Sequence, residues 1–194
     1  MIREAAKRAL DRPRKVTAQW IRDDYPLPPP HYVKRMLVTT FALLNKLDTF
    51  VETGTYHGDM VEAQREYFKK IYSIELSKEL ADKAKQLFRP YPHIEIIHGD
   101  SGEKLAEVVS RLAGPALFWL DGHYSGGETA MGSKECPALE ELQAIKASPY
   151  RHTVLIDDHR SFVQDTYPAV EELEALVGEK FLIGADAMIW QKRG

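Results

Sequence analysis

Six acidic residues stand at the ends of short apolar runs, where side chains can reach a ligand. Glu52 closes Thr49-Phe50-Val51, Glu75 closes Ile71-Tyr72-Ser73-Ile74, and Asp100 lies just past Ile94-Glu95-Ile96-Ile97. Asp121 follows Ala116-Leu117-Phe118-Trp119-Leu120, and the pair Asp157-Asp158 follows Val154-Leu155-Ile156. One such acid would read as a helix cap. Six on one rim would repel each other unless the site holds something cationic, something that donates hydrogen bonds, or both.

The loop after the first run reads Glu52-Thr53-Gly54-Thr55-Tyr56-His57-Gly58-Asp59. Glycines at 54 and 58 allow a tight turn and close approach of backbone to a ligand. A dinucleotide fingerprint wants glycine where Tyr56 stands, and a phosphate-cradling loop wants a Gly-Lys-Ser/Thr that does not follow. The loop therefore suits a nucleoside ligand without a pyrophosphate. Glu75, at the end of the second run, is placed to accept both ribose hydroxyls.

The acids share a rim only if their runs are parallel strands of one sheet. Amphipathic stretches separate the runs: one begins near Asp59, one covers about 78–88, one carries Leu105, Val108, Val109 and Leu112, one carries Leu139, Leu142 and Ile145, and one covers about 168–177. Strands alternating with helices specify an α/β fold, a parallel sheet with helices on both faces. Phe181-Leu182-Ile183 and Ala187-Met188-Ile189-Trp190 are separated by three residues, too few for a parallel crossover, so they form a C-terminal antiparallel hairpin. Upstream, Val33, Met36, Leu37, Phe41 and Leu44 predict a helix with these side chains on one face.

Glu52-x-Gly54-x-x-x-Gly58, Ile74-Glu75, Gly99-Asp100-Ser101 and Asp121, in that order, resemble the successive motifs of class I S-adenosylmethionine-dependent methyltransferases. The resemblance spans about residues 33–194 and implies a Rossmann-like, seven-stranded, mostly parallel sheet whose C-terminal hairpin supplies an antiparallel strand. It further implies that Gly54 and Gly58 line the methionine part of S-adenosylmethionine, with Glu52 near its amino group. Glu75 would bind the ribose, Asp100 and Ser101 would face the adenine, and Asp121 would contribute a cofactor contact.

Leu120-Asp121-Gly122-His123-Tyr124 and Ile156-Asp157-Asp158-His159 resemble the metal-binding pattern of small-molecule O-methyltransferases, including the macrocin O-methyltransferase-like enzymes. That likeness implies Mg²⁺ held by Asp121, Asp157 and Asp158, where it would clamp the acceptor oxygens. The alternative for Asp157 or Asp158 is a helix cap. Catechol-type enzymes place a lysine base where Tyr124 stands here, so His123 is the candidate base, with His159 second and a plain loop histidine as the alternative. The glycine-rich stretch 125–132 reads as a substrate lid or as a connector.

The chain has 194 residues, 44% of them hydrophobic, enough for one core without staples. Its formal charge of −3 gives no whole-chain footprint for nucleic acid, and Cys136 has no second cysteine for a disulfide or zinc pair. Residues 1–30 form a basic helix and a proline-rich connector, and 31–194 form the methyltransferase-like domain. No apolar run is long enough for a bilayer, and basic residues interrupt the N-terminus, so a soluble, cytoplasmic protein is expected. The expected partner is a small-molecule acceptor, not nucleic acid or membrane, and self-association is left open. Three rival readings stay open: a metal-independent methyltransferase, a non-catalytic S-adenosylmethionine-binding protein, and a nicotinamide-dependent oxidoreductase.

Overall fold

The computed structural model describes residues 15–122 and 135–192. Helix α1, over residues 15–22, leads into the proline-rich connector, which folds back so that Trp20 Nε1 donates to the Pro26 carbonyl at 2.8 Å. Helix α2 (His31–Asn45) precedes the alternating units. These are β1 (Thr49–Thr53), α3 (Asp59–Gln64), β2 (Lys70–Glu75), α4 (Lys78–Phe88), β3 (Ile94–His98) and α5 (Ser101–Ser110). They continue with β4 (Leu117–Leu120), α6 (Ala138–Ala147), β5 (Thr153–Ile156), a 3₁₀ turn over His159–Ser161 and α7 (Val170–Val177). Strands β6 (Leu182–Gly184) and β7 (Ala187–Gln191) end the described chain.

The strands form one seven-stranded sheet in the order β3-β2-β1-β4-β5-β7-β6. Strands β1 to β5 pair in parallel, and β7 runs antiparallel to both of its neighbours, as the alternation and the hairpin predict. Successive strands step outward in one direction from β1 and in the other from β4. Their junction is the topological switch point, where open α/β sheets bind ligands.

Strand alternation divides the core into two layers. Val51, Phe118, Leu120, Val154 and Ile156 face α5, α6 and α7, packing on Leu105, Leu142 and Leu173. Phe50, Ile71, Leu117, Trp119 and Leu155 face α2, α3 and α4, packing on Val38, Val61 and Ala84. Every residue of β4 and β5 is buried, so the central strands read as unbroken apolar runs.

Two expectations need correction. The buried stripe of α2 is Lys34, Val38 and Ala42, while Met36 and Leu44 are exposed. The helix is rotated because the Lys34 ammonium is drawn into the sheet rim, where carboxylates receive it. At the C-terminus Gly184 belongs to β6, and the hairpin loop is only Ala185-Asp186, both left-handed at φ 50° and 62°, the two-residue I′ geometry that matches strand twist. Among the described residues, no helix is long and apolar enough to cross a membrane.

Candidate cofactor site and active site

Glu52 lies inside β1 and is buried beneath the switch point. Ser73, its register partner on β2, donates its hydroxyl to Glu52 Oε2, and Thr55 Oγ1 lies 2.6 Å from the same hydroxyl. Among the described residues no basic side chain forms an ion pair with Glu52. Burial pushes its carboxyl well above the usual range, the charges of Asp121 and Glu75 push it further, and the Ser73 bond only partly opposes them. Among the described residues, the acid that β1 buries at the switch point is thus held without a countercharge.

Above Glu52 the chain turns at Gly54, with φ at +82°. A Cβ there would lie 2.2 Å from the Asp121 carbonyl, so only glycine lets the β1 loop lie against the end of β4. The two strand ends are tied by the Asp121 N–H, which donates to the Thr53 carbonyl at 3.1 Å. Gly58 serves packing: at φ +79° a Cβ would meet the Phe88 ring of α4 at 2.7 Å.

Glu75, the last residue of β2, is also buried. Its Oε2 accepts the Tyr56 N–H and its Oε1 accepts the Ser77 N–H, each at 2.8 Å, which fixes the carboxylate while each oxygen keeps a further lone pair. Asp100 caps α5, its Oδ1 accepting the Gly102 N–H at 2.9 Å. Ser101 is buried, and its hydroxyl would sit 2.9 Å from a Cβ on Gly122, so the start of α5 and the end of β4 approach closely. Glu52, Gly54, Glu75, Ser101 and Asp121 are thus gathered at the ends of β1, β2 and β4.

The end of β5 is organised differently. Lys34 Nζ donates to Asp157 Oδ2 at 2.6 Å and to Asp158 Oδ1 at 2.8 Å. Arg160 donates through Nη1 and Nη2 to the two oxygens of Asp158 and reaches Asp186 in the hairpin loop. Asp157 Oδ1 accepts the Asp158 N–H at 2.8 Å. Burial alone would depress the Lys34 ammonium, but the Asp157 charge and the bonds to both carboxylates outweigh it and hold the group above the ordinary lysine range.

The Mg²⁺ expected between Asp121, Asp157 and Asp158 does not fit this arrangement. A Mg²⁺ shared by Asp157 Oδ2 and Asp158 Oδ1 would lie about 2.0–2.1 Å from each. That is the space taken by the ammonium, or space beside a like charge. Among the described residues, no group of three His, Cys, Asp or Glu side chains is disposed to hold a metal ion. Asp158 occupies the N-cap position of the 3₁₀ turn but makes no side-chain cap bond there.

Sequence reasoning missed Lys34, Ser73, Arg160 and Tyr167. Tyr167 is buried edge-on to Phe162, and burial pushes its hydroxyl up to about 12, with the charges of Cys136, Asp158 and Asp121 among those adding to the effect. The base expected at His123 and the lid expected at 125–132 lie outside the described residues. His159, the second candidate base, begins the 3₁₀ turn, and its backbone N–H donates to the Asp186 carbonyl at 2.7 Å.

No protein-family model and no curated protein sequence matches the chain. Solved structures do. The SAH-bound methyltransferase PaMTH1 of Podospora anserina aligns with a TM-score of 0.59 at 16% identity, covering 98% of this chain and 96% of that one. An O-methyltransferase of Bacillus cereus in complex with SAH gives 0.59 at 13% identity, over 91% and 88% of the two chains. TomG, an O-methyltransferase from Streptomyces achromogenes involved in tomaymycin synthesis and solved with SAM, gives 0.58 at 15% identity, over 91% and 86%. The fold is that of the class I methyltransferases. The methyltransferase fold puts the Gly54 turn, Glu52 and Glu75 at its switch point, and it leaves the Lys34 network on the neighbouring rim at the end of β5.

Proposed function

We propose that this chain is an S-adenosylmethionine-dependent methyltransferase acting on a hydroxyl of a small molecule. The observation that carries the reading is Glu52, a buried carboxylate with no countercharge among the described residues, below the Gly54 turn. S-adenosylmethionine, when bound, supplies a methyl group on a cationic sulfonium and an ammonium group alongside it. Glu52 accepts positive charge there, and a cationic ligand relieves the cost of burying the carboxylate. Glu75, fixed by two backbone N–H groups, keeps lone pairs for a pair of vicinal hydroxyls. Asp100 and Ser101, at the start of α5, are assigned to the adenine.

The hydroxyl acceptor is supported by the O-methyltransferases that share the fold. No step is routed through Mg²⁺, since Asp157 and Asp158 are engaged by Lys34 and Arg160. Removal of the acceptor's proton is assigned to His123, as the sequence suggests. Calorimetry with S-adenosylmethionine, S-adenosylhomocysteine and NAD tests the cofactor directly. Saturable binding of the first two and none of NAD is expected. Binding of NAD alone would replace this reading with the oxidoreductase, and binding of neither class would remove the cofactor from the site.

A further inference from the structure

We propose that Lys34 is a tethered cation that fills the carboxylate pair at the end of β5 and takes the place of a divalent metal. The two acids are adjacent in sequence at a strand end, so their charges are forced together whatever the rest of the fold does. Asp157 is 2% exposed and the Asp158 side chain 16% exposed, so water screens the pair poorly and a cation must stand near them. Lys34 is 7% exposed and comes from α2, 123 residues away in sequence from Asp157. A lysine normally keeps its ammonium in water, so burying this one on the apolar stripe of a helix is unfavourable unless its head is paired. Both costs are met in one place, the 2.6 and 2.8 Å bonds of Nζ to the two carboxylates.

Arg160 completes the arrangement by bridging Asp158 to the buried Asp186 of the β6–β7 loop. The network therefore links α2, the end of β5 and the C-terminal hairpin, using only charges the chain carries itself. Its consequence, methyl transfer that does not need a divalent ion, rests on the methyltransferase reading. Its test does not, because it reads metal binding and not turnover.

Mn²⁺ is the probe, since its electron paramagnetic resonance signal separates free from bound ion. Wild-type protein should leave Mn²⁺ free. Lys34→Ala empties the space between the carboxylates and should bind Mn²⁺ roughly 10- to 100-fold more tightly, the scale on which neighbouring groups tune metal sites. Adding Asp157→Asn to that variant should abolish the gain. If Lys34→Ala does not fold alone, refolding it with Mn²⁺ and with K⁺ decides the question, and recovery with Mn²⁺ only is expected. Lys34→Arg should fold and leave Mn²⁺ free. A merely structural lysine would lower the melting temperature without opening an Asp157-dependent Mn²⁺ site. The proposal is overturned if wild-type protein binds Mn²⁺ in a way that Asp157→Asn removes. It is equally overturned if folded Lys34→Ala binds none, or if Mn²⁺ fails to recover an unfolded one.

Discussion

Each acid of the rim was legible because acids at strand ends are unusual among apolar runs, but their partners were not. Ser73 sits within a strand and reads as filler until the β1–β2 register places it beside Glu52. Lys34 reads as a solvated helix residue, because nothing local reveals that two carboxylates wait 123 and 124 residues further on. The metal expectation meets the same limit: three carboxylates imply a cation, and only the fold brings the Lys34 ammonium onto two of them. Glu75 offers a direct test at this scale. Glu75→Ala removes the acceptor proposed for the ribose hydroxyls, and lost hydrogen bonds to a charged group cost about 1.5–3 kcal/mol, or roughly 10- to 150-fold in affinity. Isothermal titration with S-adenosylhomocysteine should show that loss in a variant whose thermal unfolding is still cooperative. Unchanged affinity would take Glu75 out of the cofactor site.

Elements followed the sequence closely where one face of a strand or helix had to be apolar. All five parallel strands stand where the apolar runs place them, and the helices after β1, β2 and β5 begin within about two residues of expectation. The rotation of α2 was not legible, since Met36 and Leu44 match Val38 and Ala42 in apolar character and only the Lys34 pairing chooses between faces. The hairpin turn was legible as a turn but not as a strained one. Ala185 adopts φ 50° with a Cβ that the left-handed region disfavours, whereas asparagine or glycine is at home there. Ala185→Asn should therefore stabilise the protein by about 1 kcal/mol. Urea unfolding should show a raised midpoint at unchanged slope. A midpoint that stays put would mean the loop does not hold both residues in the left-handed region.

Across the whole molecule, the parallel sheet and its closing hairpin follow from element spacing, whereas the order of strands follows from packing that no local pattern carries. That order places a buried acid at one end of the sheet and a buried histidine at the other. His152, at the start of β5, accepts the Ala116 N–H at Nδ1 and bonds the Ser148 hydroxyl through Nε2. Burial, helped by the Lys192 charge, lowers it to about 4 from the usual 6.5. The unfolded chain then takes up a proton that the folded one refuses, so His152 withdraws stability as pH falls from 6.5 toward about 4. Glu52 acts in the opposite sense. Its raised folded value means the folded chain keeps a proton that the unfolded one releases, so it withdraws stability as pH rises above the usual 4.5. Above 4.5 the two slopes oppose each other wherever both groups titrate. Glu52→Gln should leave the histidine slope alone, so the unliganded variant gains on wild type as pH rises through that window. His152→Gln should do the reverse, gaining on wild type as pH falls. Saturating S-adenosylhomocysteine brings an ammonium toward Glu52, favours its ionised form, and should make wild type follow the Glu52→Gln profile. Urea midpoints at several pH values, with and without ligand, read all three profiles. If Glu52→Gln and wild type run parallel as pH rises above 4.5, burial does not raise the Glu52 carboxyl in the empty site, and the electrostatic case for a cationic ligand at the switch point fails with it.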